Sequence, residues 1–196
     1  MGRRGLLVLG AAVVITVLFV RFCVHVVPAG APPARVAGRT VEQGLIVPVA
    51  GVPRSALTDS FTQARGAGAS HEAIDIMATR ATPVRAAAPG RIEKLFHSEK
   101  GGETLYIRSP GGRWIYYYAH LDGYRPGLRE GQAVRQGDVV ATVGATGNAD
   151  PQAPHLHFEI KRMAPGERWY EGTPANPYPL LANAGSADCP ATAPHC

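Results

Sequence analysis

Four histidines and one aspartate stand in three short stretches between residues 71 and 157. His71 and Asp75 are four residues apart, His120 follows three tyrosines, and His155 and His157 are separated by one leucine. Imidazole nitrogens and carboxylate oxygens bind zinc, and imidazoles also accept and deliver protons. The combination predicts a metal-dependent hydrolytic site, and the spacing alone leaves open which histidines are ligands.

The pair of histidines in the third stretch indicates one wall of that site. Residues two apart on a strand point to the same face, with Cα atoms roughly 6.6 Å apart. We therefore expect Leu156 and Phe158 to face the core and the imidazoles of His155 and His157 to face the site. Either both rings bind the metal, or one binds it while the other stands over the metal-bound water.

The first stretch must bend if both of its polar residues serve the same ion. On an extended strand His71 and Asp75 would lie about 13 Å apart, whereas zinc ligands bind at about 2 Å. The glycine-rich residues 66–70 and the flanking Ile74 and Ile76 favour a loop that enters a strand. A carboxylate between two isoleucines is costly to bury without a positive partner, and a metal ion would supply one.

The sequence predicts that the elements that position these residues are strands and turns. Short alternating runs separated by glycine turns extend from Ile74 to Lys161, without a long amphipathic helix. This pattern predicts an all-β fold, an antiparallel sandwich or half-barrel, over residues 45–181. Leu45–Val49 is the expected first strand, at a sheet edge because of Pro48. The proline-rich chain after residue 163 is predicted to wrap the surface and to end in a flexible tail, 182–196.

The N-terminal residues predict a membrane anchor. Arg3 and Arg4 precede an uncharged run from Gly5 to Val20, and the apolar pattern resumes after Arg21 and continues to Val27. A helix over this span is long enough to cross a bilayer, and the arginines favour a cytoplasmic N-terminus. We expect an uncleaved transmembrane helix in residues 1–27 and an extended linker in 28–44. A cleaved signal peptide is the rival interpretation.

Composition restricts the partners and the metal chemistry. The formal net charge is +5, but basic and aromatic residues are not interleaved as on a nucleic-acid platform, so no nucleic-acid partner is expected. The cysteines, Cys23, Cys189 and Cys196, lie far from the histidines in sequence, which argues against a thiolate zinc site. Cys189 and Cys196 would close a short loop in an oxidising compartment, or remain two free thiols.

Taken together, the three motifs resemble the M23 family of zinc metallopeptidases, the lysostaphin and LytM type that cuts peptide bonds in peptidoglycan. The likeness covers residues 45–181 and rests on His71-x-x-x-Asp75, Tyr-Ala-His120-Leu and His155-Leu-His157-Phe-Glu-Ile. It implies that His71, Asp75 and His157 bind one Zn²⁺, with water in the fourth position, and that His120 and His155 form the catalytic pair. It also implies the half-barrel of duplicated hybrid-motif type.

Two segments depart from the family pattern. Ala73 stands where the family commonly has glycine, and Phe61-Thr-Gln-Ala-Arg65 is looser than the usual Phe-Gly-x-Arg. Neither segment contains an expected ligand, so the departures concern the shape of the substrate groove rather than the metal.

The resemblance and the N-terminal segment together predict a membrane-anchored endopeptidase of the cell envelope. Its domain would lie outside the cytoplasmic membrane, and its partners would be peptidoglycan peptides and the membrane itself. One alternative is a non-catalytic regulator that binds peptidoglycan or activates an amidase, which the complete ligand set disfavours. Another is a carrier or phosphotransfer barrel. A carrier needs a lysine at a hairpin tip, and Lys100 lacks the expected surroundings, whereas a phosphotransfer barrel belongs in the cytoplasm, against the anchor.

Overall fold

A computed structural model of the chain describes residues 44–182. These residues form nine strands, one short helix and two 3-10 turns, Arg54–Ala56 and Gly66–Gly68. In chain order the elements are β1 Ile74–Met77, β2 Pro83–Arg85, β3 Gly90–Ser98, β4 Gly102–Arg108, β5 Trp114–Tyr124, β6 Ala133–Val134, β7 Val139–Val143, β8 His155–Arg162, β9 Thr173–Ala175 and α1 Tyr178–Ala182.

All nine strands belong to one antiparallel sheet that branches at β5. The main order is β1-β8-β5-β4-β3-β6, while β7 pairs with both β2 and β5, and β9 pairs with β8. Residues 114–119 of β5 pair with β8, and residues 121–124 pair with β7. His120 is therefore the junction at which β5 changes partners.

The predicted all-β antiparallel fold is confirmed. Its strands are joined through β5, which is eleven residues long and hydrogen-bonds to strands of both branches. One continuous branched sheet results, and its branch point carries a predicted catalytic histidine.

Alternation along β8 separates the core from the site, as predicted. Leu156, Phe158 and Ile160 are completely buried, whereas His155 and His157 lie on the opposite face of the strand. Tyr118 of β5 is also fully buried, and its hydroxyl accepts a hydrogen bond of 2.9 Å from the amide of Ala87. Tyr118 thus packs in the core.

Two predictions about the ends of the domain were wrong. Leu45–Val49 is not a strand: Val49 forms only an isolated bridge with Val84, and Pro48 has no amide hydrogen with which to extend a ladder. After residue 163 the chain forms β9 and α1 rather than only wrapping the surface. β9 was missed because three residues with a central proline carry little strand signal.

The other expectations about the termini fall outside the described residues. These are the membrane anchor in residues 1–27, nearly all of the linker, the C-terminal tail and the three cysteines. Within residues 44–182, no helix is long and apolar enough to cross a membrane.

Candidate active site

An open groove of about 660 Å³ holds all five predicted site residues. One part of its lining comes from residues of the segment 65–71, which precedes β1, and another from Lys100 and Gly101, which precede β4. Because β8 and β5 lie between β1 and β4 in the sheet, the groove crosses these two central strands. Asn148–Asp150, which precede β8 in the chain, also line it.

Three of the five residues converge on one point in this groove. His71 Nε2 lies 3.0 Å from Asp75 Oδ1 and 3.0 Å from His157 Nδ1, and the last two atoms are 3.2 Å apart. Tetrahedral zinc with bonds near 2 Å holds its ligand atoms roughly 3.3 Å from one another. The donor atoms therefore fit such an ion, and no other group in residues 44–182 has this geometry.

Local backbone geometry brings the two ligands of the first stretch together. Asp75 lies directly opposite His157 in the β1–β8 register, so strand pairing alone joins two of the donors. His71 lies in the loop before β1, and Glu72 adopts a left-handed conformation with a φ of 58°. The expected bend between His71 and Asp75 is confirmed, and Ala73, the departure from the family pattern, is completely buried.

The three side chains suit a cation. The Nδ1–H of His71 donates to the carbonyl of Ser60 at 3.1 Å, which leaves Nε2 facing Asp75 and His157. Burial lowers the pKa of His157, so its ring is neutral near pH 7. Burial raises the pKa of Asp75, but hydrogen bonds with His157, His71 and Arg65 outweigh this effect and hold the pKa of this carboxyl well below its usual range. Two imidazoles and one carboxylate are a set that zinc accepts.

Arg65 is a site residue whose role the sequence did not reveal. Its Nη2 lies 2.7 Å from Oδ2 of Asp75, the carboxylate oxygen that does not face the two histidines. Asp75 therefore has a cationic partner on one oxygen while the other remains among the donor atoms. The only sequence signal was the arginine that ends the Phe61–Arg65 motif, which carries no hint of its partner 10 residues later.

The remaining two histidines lie beside the three donor atoms, and each ring forms the same kind of hydrogen bond to a backbone carbonyl. The Nδ1–H of His120 donates to the carbonyl of Thr146 at 2.9 Å, and that of His155 donates to the carbonyl of Ala153 at 2.8 Å. In the neutral form of each ring the lone pair is therefore on Nε2. The two ring centroids are 5.0 Å apart, and His155 Nε2 lies 3.8 Å from Asp75 Oδ1.

His120 is distinguished by its backbone conformation and by its burial. It lies inside β5, and its backbone is left-handed, with a φ of 58°. Burial lowers the pKa of its ring to about 4 against a weaker opposing effect of the hydrogen bond to Thr146. The ring is therefore neutral near pH 7 and acts as an acceptor at Nε2.

Two further side chains of the groove face stand out. Tyr117, and not the buried Tyr118, lines the groove, and its ring centroid is 6.0 Å from that of His157. Glu159 shares the face of His157 and is buried, which raises the pKa of its carboxyl to about 7 although Lys161 lies 3.6 Å away. Three consecutive tyrosines in the sequence did not indicate which ring would reach the site.

Comparison with known proteins gives a consistent result. The sequence profile described as "Peptidase family M23" matches residues 69–177. An L-Ala–D-Glu endopeptidase of Bacillus subtilis is 33% identical over 129 residues, covering 62% of this chain and 38% of that protein. The peptidoglycan DD-endopeptidase ShyC of Vibrio cholerae is 36% identical over 91 residues, covering 46% of this chain and 20% of that protein.

A solved structure shares the fold over a larger part of its own length. The catalytic domain of lysostaphin from Staphylococcus simulans superposes with a TM-score of 0.52 at 28% identity, covering 60% of this chain and 84% of that domain. The chain spans well under half the length of the two curated relatives above. The profile match, in contrast, includes all five predicted site residues and more than half of the 196 residues. The chain belongs to peptidase family M23.

Proposed function

We propose that this protein is a zinc-dependent endopeptidase that hydrolyses peptide bonds of peptidoglycan. The observation that carries the proposal is the meeting of three candidate metal-ligand atoms with two further imidazoles in one open groove. A metal-dependent hydrolase uses a cation and a proton acceptor beside the same bond, and the groove is open and about 660 Å³ in volume. The endopeptidase names of the relatives support peptidoglycan as the substrate class.

In this proposal His71, Asp75 and His157 hold a single zinc ion. When bound, zinc lowers the pKa of a coordinated water and polarises the carbonyl of the bond to be cut. Arg65 keeps the Asp75 carboxylate ionised and oriented through its second oxygen. The carbonyl of Ser60 fixes the ring of His71, so Asp75 and His71 each have a partner outside the metal site that sets their direction.

His155 and His120 would handle the proton and the water. His155 is the ring whose Nε2 lies 3.8 Å from Asp75 Oδ1, so we assign proton transfer to it. Its Nε2 accepts a proton from the attacking water, whose oxygen bonds to the carbonyl carbon. The same nitrogen then delivers that proton to the amine as the C–N bond breaks. His120 accepts a hydrogen bond from the water at its own Nε2 and orients it.

We further propose that residues 1–27 anchor the protein in the cytoplasmic membrane with the peptidase domain on the outer side. The support is the uncharged run from Gly5 to Val20 behind two arginines. A substrate in the cell wall lies on that outer side. The N-terminal arginines would remain in the cytoplasm.

Mass analysis of fragments released from purified sacculi tests the function directly. The full-length chain in detergent would be incubated with zinc, with a chelator, and as the His157→Ala variant. We expect new amine and carboxyl ends only when zinc and His157 are both present, and their masses identify the bond. A folded, zinc-loaded protein that binds sacculi without releasing fragments would contradict the peptidase and favour the regulator.

A further inference from the structure

His120 occupies a backbone position that must be held in place from outside. Its φ of 58° lies in the left-handed region, which is unfavourable for a residue other than glycine. The amide of His120 donates to the carbonyl of Gly101 at 2.8 Å. The pairing of β5 is irregular around this residue. The β4–β5 register shifts between Glu103 and Leu105 of β4, and the β5–β7 register shifts between Leu121 and Gly123 of β5.

Thr146 contacts both the ring of this histidine and the backbone around it. Its carbonyl accepts the Nδ1–H of His120 at 2.9 Å. Its hydroxyl donates to the carbonyl of Leu121 at 2.8 Å and accepts the amide hydrogen of Glu103 at 3.0 Å. One side chain therefore joins β4 and β5 to the loop whose carbonyl selects the tautomer of the ring.

Close backbone packing sets the distance between this loop and the start of β4. A Cβ on Gly147 would lie 2.3 Å from the carbonyl oxygen of Lys100 and 2.4 Å from the amide of Gly102. A Cβ on Gly102 would lie 2.1 Å from the hydroxyl of Thr146. The loop is thus in backbone contact with β4, and the hydroxyl of Thr146 hydrogen-bonds it to β5 beside His120.

We propose that Thr146 is a positioning residue for His120. Its hydroxyl holds the loop carbonyl where it accepts Nδ1–H, so the lone pair of His120 remains on Nε2 in the groove. Without the hydroxyl, the carbonyl shifts and both ring nitrogens compete for the proton. The catalytic consequence rests on the proposed function of His120, whereas the tautomer does not.

Two substitutions separate the hydroxyl from the shape of the side chain. Thr146→Val keeps the volume and loses both hydrogen bonds, and Thr146→Ser keeps the hydroxyl and loses a methyl group. Thr104→Val is the matched control, because it removes a buried threonine hydroxyl that donates to the carbonyl of Phe96 at 2.7 Å, outside the groove.

The first measurement is the ¹⁵N spectrum of the histidine rings in the metal-free, full-length chain. We expect His120 to be the Nδ1–H tautomer in the wild type, in Thr146→Ser and in Thr104→Val. In Thr146→Val we expect a mixture of tautomers. An unchanged tautomer in Thr146→Val overturns the proposal, whether or not the protein proves to be a peptidase.

The second measurement is steady-state hydrolysis of a soluble stem peptide by the zinc-loaded chain. We expect Thr146→Val to lower kcat about 10- to 100-fold with little change in KM or zinc content. Thr146→Ser should restore most of kcat, and equal loss in both variants would overturn the positioning role. If Thr146→Val does not fold, Thr146→Cys, which keeps the size of serine with a weaker hydrogen bond, replaces it in both measurements.

Discussion

At the scale of single residues, the groove separates two kinds of histidine by what the ring nitrogen in the groove faces. His71 Nε2 and His157 Nδ1 lie 3.0 Å from each other and face Asp75. His120 and His155 donate Nδ1–H to loop carbonyls and keep Nε2 for a reactant. Identical side chains thus acquire different chemistry because the fold directs their ring nitrogens at different partners.

The two rings outside the set of three donors should affect catalysis and not metal binding. We expect His120→Ala or His155→Ala to retain zinc and to slow hydrolysis by about 100-fold or more, since each removes a proton acceptor beside the water. Zinc content by mass spectrometry and kcat on a soluble stem peptide check this. His97→Ala is the control, because that ring is exposed and pairs with Glu103. Loss of zinc from either groove variant would show that the ligand assignment is wrong.

Arg65 should influence the affinity for zinc through Asp75. In Arg65→Gln the carboxylate loses the partner at 2.7 Å that orients its second oxygen, and we expect zinc to bind about tenfold more weakly. Competition with a chromophoric chelator measures the affinity. Arg80→Gln is the matched control, since Arg80 pairs with Asp122, and neither residue lines the groove. Equal affinities of the two variants would contradict a role for Arg65.

At the scale of elements, β5 decides where the site forms. Its first half pairs with β8, which carries two of the histidines, and its second half pairs with β7. The change of partner falls at His120, whose left-handed backbone sits between the two halves. The contact between the loop at 146–147 and the start of β4 supports this junction.

That loop contact predicts unequal effects of alanine at two glycines with similar backbone angles. Gly147 and Gly111 have φ values of 71° and 80°, but only Gly147 lies against backbone atoms, whereas Gly111 has open space. Both alanine variants bear the cost of a left-handed residue, about 1 kcal/mol. Gly147→Ala should lose about 1–3 kcal/mol more, because backbone atoms must move. Denaturant unfolding measures the difference, and equal losses would contradict the tight contact.

At the scale of the whole molecule, the five predicted site residues all lie within residues 44–182. The central strands β5 and β8 carry three of them. The proposed anchor lies in residues 1–27, and we expect it to determine location rather than chemistry.

Removal of the proposed anchor should leave a working enzyme. We expect residues 28–196 to remain in the supernatant after ultracentrifugation, with the same zinc content and the same kcat on a soluble stem peptide as the full-length chain in detergent. The full-length chain expressed in cells should sediment with membranes and resist extraction by high salt. Aggregation of residues 28–196 under all conditions, or release of the full chain by salt, would contradict the anchor.

The sequence by itself was sufficient for features that depend on neighbouring residues. Alternation in His155–Phe158 predicted which side chains face the site, because side-chain direction along a strand has a period of two. The spacing of His71 and Asp75 required a bend, since an extended chain cannot bring them to one ion. The family motifs then predicted the five site residues and agreed with the antiparallel all-β fold.

Other features depended on contacts between residues far apart in the chain, and local patterns do not encode them. The register of β1 against β8 brings Asp75 to His157, and the fold brings Thr146 to His120 and selects Tyr117 over Tyr118 for the groove. Short segments such as β9 exist because a neighbouring strand offers hydrogen bonds, while their own residues carry little propensity. Side-chain direction is a local property of the chain, but the partner that a side chain meets is set by strand pairing across the sheet.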